Sequence, residues 1–225
     1  MGLSPPRGKP ISRRGAPGTL PVVEVPLFIV RSGRLIGGRP RAWDRRGLEG
    51  EAAIEAIAAA RKPDEMPYLF DADGVDAGAP QHEFYQRLER RGIHPWIEAG
   101  VRTPEDAMDA FFAGAEALTL DLRLLRRETL LELAGLAEGE LHLGLGFVGR
   151  ETVPAFRAWE LQRVAHDTQA SGVVLQPDAG ADAHALAGFA KELQSQRIQA
   201  SLLSWDRGSP PPEGFARWIR PGAAP

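Results

Sequence analysis

Cysteine is absent from all 225 residues. That absence excludes a disulfide framework, a thiolate zinc site, an iron–sulfur cluster and a cysteine nucleophile, and it makes a reducing, cytoplasmic setting the expectation. Lysine is nearly absent too: Lys9, Lys62 and Lys191 are the only three, so chemistry built on a Schiff-base lysine has few places to go. No apolar run approaches the roughly 18 to 20 residues that span a bilayer, and the N-terminus has no apolar signal region, so no membrane partner is expected. Charge of one sign is also missing. The 27 basic and 30 acidic residues leave a net charge of −3, which offers no positive field for neutralising phosphates and excludes nucleic acid as the main partner. The five histidines (His82, His94, His142, His166, His184) are dispersed, with no HxH or HExxH spacing, so no metal is expected. The glycines at Gly37-Gly38 and Gly144-Leu145-Gly146 do not form a phosphate loop between a strand and a helix, and no cofactor is expected.

What is present is an ordinary globular composition, 43% hydrophobic and 25% charged, enough for one large domain with its own core. Residues 1–20 hold four Pro, four Gly and four basic side chains without an acid, and they read as a disordered arm ahead of a single domain over 21–225. In that domain short apolar runs at 22–30, 67–70, 94–97, 117–120, 141–145, 172–175, 198–203 and, more weakly, 215–219 alternate with helical patterns. Those patterns cover 50–60, 80–91, a start at Thr103-Pro104-Glu105-Asp106, 129–137, 153–169 and 182–196. Continuously apolar strands alternating with helices describe a parallel sheet covered by helices. Units of about 25 residues point to an eight-fold (β/α) barrel. The linker WDRGSPPPEG is too short and proline-rich for a helix, and little chain follows Ile219, so helices 7 and 8 should be shortened or missing. The apolar flank this leaves suggests a homo- or hetero-oligomer.

The C-terminal strand ends, where such barrels build their sites, are acidic. They carry Asp71 and Asp73, then Glu98 with Gly100 and Arg102, then Asp121, Asp178 and Asp206. Crowded carboxylates need a cationic or donor-rich counterpart, so Asp71, Asp73, Glu98, Gly100, Arg102 and Asp121 are the candidate ligand-binding residues for a small molecule. Taken singly, Asp121, Asp178 and Asp206 also read as helix caps or solvated loop acids, whereas Asp71 and Asp73, in a DxDG directly after a buried apolar strand, are placed at the mouth.

Three stretches resemble the histidine-biosynthesis isomerase/cyclase barrels (HisA/HisF): VPLFIVRSGRLIGG, YLFDADGVDAGAPQHEF and WIEAGVRTPEDAMDAFFAGAEALTL, together covering roughly 21–125. The resemblance implies a barrel and, in its working members, two aspartates at the ends of strands 1 and 5 that act as acid and base in a sugar-phosphate isomerisation. Here those positions hold Ile29 and Gly146, which cannot move a proton. The phosphate-binding glycines have become Glu98-Ala99-Gly100, Leu120-Asp121 replaces a Gly-Thr, and strands 7 and 8 lack their Gly-Gly loops. The expectation is therefore a diverged member without histidine-pathway isomerase activity that binds or transforms a donor-rich molecule. Diverged relatives point to one-carbon carrier metabolism of the tetrahydromethanopterin or methanofuran type. Two alternatives stand beside it: a working isomerase that recruits Asp71 or Asp178 as its catalytic carboxylates, and a catalytically silent subunit of a complex.

Overall fold

The computed structural model describes residues 22–36, 47–62, 65–136, 139–205 and 213–221. The arm at 1–20, Gly37-Gly38, Asp206 and most of the proline-rich linker lie outside these residues.

In chain order the elements are β1 (Val23–Arg31), β2 (Arg34–Ile36), β3 (Leu48–Glu49), α1 (Gly50–Ala60), β4 (Tyr68–Asp71), α2 (Ala72–Ala77), α3 (His82–Glu89), β5 (Trp96–Glu98), α4 (Pro104–Phe112), β6 (Ala117–Asp121), α5 (Arg127–Leu136), β7 (Glu140–Val148), β8 (Glu151–Val153), α6 (Ala158–Asp167), β9 (Gly172–Pro177), α7 (Ala183–Ser195), β10 (Ala200–Leu203) and β11 (Arg217–Pro221). Eight of the strands are parallel, in the order β1, β4, β5, β6, β7, β9, β10, β11, and β11 pairs back onto β1 to close a barrel. Closure leaves none of the eight with an open edge. Helices follow the first six barrel strands. Among the described residues none follows β10 or β11, in keeping with the proline-rich linker.

Alternation along each strand sorts the apolar residues into two cores. Outward residues such as Phe28, Leu69, Ile97, Leu118, Leu143, Val173 and Leu202 meet the helices. Inward residues, among them Val25, Leu27, Ile29, Tyr68, Phe70, Trp96, Val174, Leu203 and Ile219, fill the barrel. The interior is lopsided. The sector from β10 round through β11 and β1 to β4 supplies mainly aliphatic and aromatic side chains. The sector from β5 to β9 contributes Glu98, Thr119, Asp121 and His142, all at most 2% exposed, together with the half-buried Gln176.

Several local features were not expected from the sequence. β2 and β3 add an antiparallel flap to β1, and β8 folds back on β7 through Gly149 at φ +57°. The helical pattern expected over 153–169 starts only at Ala158, because Val153 pairs with Gly146 in that hairpin. α2 is a short helix made possible by its ends: Asp71 caps it and Gly78 closes it in the left-handed region at φ +65°. The helix start at Thr103 forms as its residues dictate, with a reciprocal capping box between Thr103 and Asp106.

The flank without helices is not open apolar surface, contrary to expectation. Ala200, Leu202 and Trp218 on the outer faces of β10 and β11 are buried, and the Arg220 guanidinium lies 4.5 Å from the Trp218 ring centroid. Exposed large apolar side chains lie elsewhere, including Phe112, Leu131 and Trp159 on α4, α5 and α6. No helix among the described residues is long and apolar enough to cross a membrane.

Candidate functional site

The structure divides the acidic strand ends into two groups. Asp71 faces the helices, being the last residue of a strand whose Tyr68 and Phe70 point inward. Its Oδ1 accepts from the backbone N–H of Asp73 and Gly74, both at 3.0 Å, and its Oδ2 accepts from the Gln81 N–H at 2.6 Å and from the Tyr85 hydroxyl. Four donors saturate the carboxylate and tie β4 to α2 and α3. Burial pushes the Asp71 pKa up and these donors pull it back. Asp73 sits at the rim, where it accepts from the Ser32 N–H and the Gln81 side chain and lies 3.7 Å from the Arg31 guanidinium.

Gly100 and Arg102 are also occupied by structure. Gly100 has φ +63°, and a Cβ there would stand 2.5 Å from the Gly74 carbonyl oxygen. A Cβ on Gly74 would in turn come within 2.3 Å of the Ala99 carbonyl. The two glycines therefore let the loop after β5 press directly on α2. Arg102 clamps the same junction, donating to the carbonyls of Gly74, Gly100 and Val75 at 2.9 to 3.2 Å. Asp178 is exposed, and its Oδ1 accepts from the Gly180 N–H in a tight turn. The two carboxylates considered for catalysis, Asp71 and Asp178, are thus not brought together.

Glu98 and Asp121 do converge, inside the C-terminal half of the barrel. Glu98 is fully buried; its Oε2 accepts from the Tyr68 hydroxyl at 2.5 Å and its Oε1 from Gln176 Nε2 at 2.7 Å. Burial pushes the Glu98 pKa from 4.5 up to about 7. The Tyr68 hydrogen bond opposes this, the neighbouring Asp121 charge adds to it, and Gln176 and Arg123 favour the ionised form. Asp121 forms a forked ion pair with Arg123, whose Nε lies 2.9 Å from both carboxylate oxygens. That pair raises the Arg123 pKa, and the guanidinium, 44% exposed, is the solvent-facing part of the cluster.

The polar chain continues towards the N-terminal end of the barrel. Thr119 Oγ1 is 3.0 Å from the Tyr68 hydroxyl and accepts from Trp96 Nε1 at 2.9 Å. Burial and the adjacent Glu98 hold the Tyr68 pKa well above its ordinary value, so this phenol stays protonated. Trp96 stacks against His142 at 4.0 Å between centroids, and Arg217 lies 5.5 Å from the Trp96 ring. Burial, with Arg217 adding to it, drives the His142 pKa down to about 3. His142 is thus a neutral core imidazole near the end of the barrel opposite the mouth. Neither ring nitrogen has a hydrogen-bond partner among the described residues, and the Glu140 carboxylate 3.3 Å from Nε2 lies off the bonding direction.

Apolar residues complete the mouth. Phe70 and Trp205 pack edge to face at 5.2 Å, and Ile29 pairs beside Phe70 on β1. Gly146, at the inward position of β7 level with Gln176, leaves room: an added Cβ would be 3.4 Å from its nearest neighbour and 3.9 Å from the Arg123 guanidinium. The residues that sequence reading missed are Tyr68, Thr119, Arg123, Gln176, Phe70 and Trp205. Strand parity was the available signal. Counting by twos from the buried strand centres puts Tyr68, Phe70, Thr119 and Gln176 on the inner face.

No group of three or more potential metal ligands is found among the described residues. The architecture defines the class as an eight-stranded parallel (β/α) barrel, with a buried carboxyl network at the end where such barrels carry their sites. Beyond the class, no protein-family model and no curated protein matches the chain.

Proposed function

We propose that the barrel mouth binds a small, planar, donor-rich molecule, and that the chain is a diverged relative of the histidine-biosynthesis isomerase/cyclase barrels without their isomerase activity. The observation that carries the reading is the acceptor-rich inner face of the mouth. Glu98, the Gln176 amide that bonds it and the Asp121 carboxylate with its Arg123 partner gather at this end of the barrel, where the rings of Phe70 and Trp205 add apolar surface. In-plane N–H groups of a flat heterocycle meet such acceptors while its faces meet aromatic edges. An aminopyrimidinone edge of the pterin type has this donor pattern, and the one-carbon carrier setting suggested by the resemblance belongs to the same proposal.

Ile29 and Gly146 support the absence of isomerase chemistry. Both are at inward positions of the mouth, where the related isomerases place their acid and base, and neither carries a proton. Arg123 is held by Asp121, so its charge is already neutralised, which disfavours a bisphosphorylated sugar.

A panel of aminopyrimidinones, amines and sugar phosphates, read by calorimetry and ligand-observed NMR, tests the proposal. Donor-rich rings should bind, and Asp121→Asn should weaken them at least tenfold, a desolvated charge-assisted contact being involved. Sugar phosphates binding more tightly than every donor-rich ring would refute it.

The silent-subunit reading keeps one supporting observation, the exposed Phe112 on α4 and Trp159 on α6. Native mass measurement distinguishes it: a stable oligomer that loses its assembly in Trp159→Glu, with no ligand bound by any form, would favour that reading.

A further inference from the structure

The hydrogen bonds inside the barrel have a direction. The Trp96 indole nitrogen can only donate, so the Thr119 oxygen must accept from it. The Thr119 hydrogen is then free for the Tyr68 oxygen 3.0 Å away, and the Tyr68 hydrogen goes to Glu98 Oε2. Every hydrogen in the chain is used, and Oε2 is committed as an acceptor. The other carboxylate oxygen, Oε1, faces the Gln176 amide. While Glu98 is ionised it has no hydrogen to give, so Gln176 must turn its NH2 inward. The amide oxygen then lies at the opposite end, towards the mouth, and makes no hydrogen bond to any described residue. When Glu98 takes up a proton, Oε2 is the costly place for it: Tyr68 would have to turn towards Thr119, leaving the Thr119 hydrogen buried without an acceptor. Oε1 is the place that leaves every group paired, provided the Gln176 amide turns over so that its oxygen accepts.

We propose that Gln176 is a specificity-determining residue of the mouth and that Glu98 decides which end of its amide faces the ligand. With Glu98 ionised, the amide oxygen points outward and the mouth favours donor-rich ligands. With Glu98 protonated, the NH2 points outward and the mouth favours acceptors. Trp96, Thr119 and Tyr68 are positioning residues that reserve Oε2 and so force the change onto Gln176. The proton that binds Glu98 comes from solvent or from an acidic N–H of the ligand, and no net proton moves along the chain. The charged or titratable groups that face Glu98 are Tyr68 on β4, Asp121 on β6 and Arg123 just beyond β6. Tyr68 stays protonated, and Glu98 is the group whose change the chain transmits to Gln176. Burial places that change near neutral pH.

This inference rests on the ligand-binding reading of the mouth, yet its central test needs no ligand. In the full-length wild type, the side-chain 15NH2 signals of Gln176 and the 13C carboxyl signal of Glu98 are followed from pH 5.5 to 8.5. The expected result is a joint titration near pH 7, with the NH2 hydrogens near Tyr68 and Glu98 at high pH and exchanging with water at low pH. Glu98→Gln, whose oxygen accepts from Tyr68 while its NH2 faces Gln176, should hold the Gln176 amide turned over at every pH. A Glu98 titration in the wild type that leaves the Gln176 amide unmoved overturns the inference. A parallel arm uses 2-aminopyrimidin-4-one and benzoate, both of constant charge over this range. The first should bind about tenfold more tightly at pH 8.5 than at 5.5, and benzoate should show the reverse. An amide that turns while neither probe binds upholds the switch and counts against the ligand reading. Probes that bind with a static amide do the opposite.

Discussion

Replacing Glu98 with glutamine should stabilise the protein at high pH and leave it unchanged near pH 4.5. In the folded state Glu98 holds its proton up to about pH 7, against an ordinary value of 4.5. A raised carboxyl pKa means that the folded state binds the proton more tightly. Its contribution is fully present below pH 4.5 and is lost as pH rises towards 7, at about 1.4 kcal/mol per pH unit. The total is about 3 kcal/mol. His142 works in the opposite direction: its folded pKa of about 3 lies below 6.5, so stability is full above 6.5 and lost as pH falls towards 3. Between 4.5 and 6.5 the two slopes cancel, and these groups together should give the wild type a flat stability profile. The glutamine variant removes one slope and keeps the other. Its amide oxygen can accept from Tyr68 and its NH2 can donate to a turned-over Gln176, as in the protonated wild type, so the network stays paired. The difference between variant and wild type should therefore be about 3 kcal/mol at pH 8, or roughly 6 to 12 °C in Tm for a chain of this size, shrinking to near zero at pH 4.5. Urea unfolding at four pH values, with thermal scans alongside, measures it directly. Taking the difference cancels every other titrating group. A stability difference constant across that range would refute the reasoning.

The same structure sets the outcome of further substitutions. Asp71→Ala strands four donors, two of them fully buried, and should cost about 3–5 kcal/mol in urea unfolding, with little effect on any ligand bound at the mouth, because the carboxylate faces the helices. Gly146→Ala should be tolerated within about 1 kcal/mol. Gly144→Ala, whose Cβ would meet the Thr119 methyl at 2.8 Å, should lose about 1–3 kcal/mol by the same assay. Arg102→Ala should destabilise by about 1–3 kcal/mol through three abandoned carbonyls, and Arg102→Lys should not restore the loss, because a single ammonium cannot reproduce the fork. Finally, the wild type should fail to rescue a histidine auxotroph lacking the phosphoribosyl isomerase; rescue at normal expression would contradict the roles given to Ile29 and Gly146.

The barrel was legible because its strands are continuously apolar and its helices carry their own start signals, as at Thr103. That no helix follows β10 or β11 among the described residues was legible for the converse reason, a linker rich in proline and glycine. The site was only half legible. Being acidic and ending a strand is a property Asp71 shares with Glu98 and Asp121, yet strand parity sends Asp71 to the helices and the other two inward. A shift of one residue in a strand end reverses that outcome, and the apolar runs alone do not fix the end to within one residue. Gly100 and Arg102 were visible as unusual residues, but what demanded them was the close approach of α2, a contact between segments far apart in sequence. Gln176 was hidden by its type: a lone glutamine before a proline carries no motif, and its importance comes from what lies across the barrel.

The Gly74–Gly100 contact also limits how the mouth can move. With backbone pressed on backbone and Arg102 bridging both sides, the loop after β5 and helix α2 form one rigid wall. Neither can swing open without pulling the other away from its carbonyl partners. The barrel thus has one fixed jaw, and the acidic residues that dominate the sequence at the end of β4 belong to it.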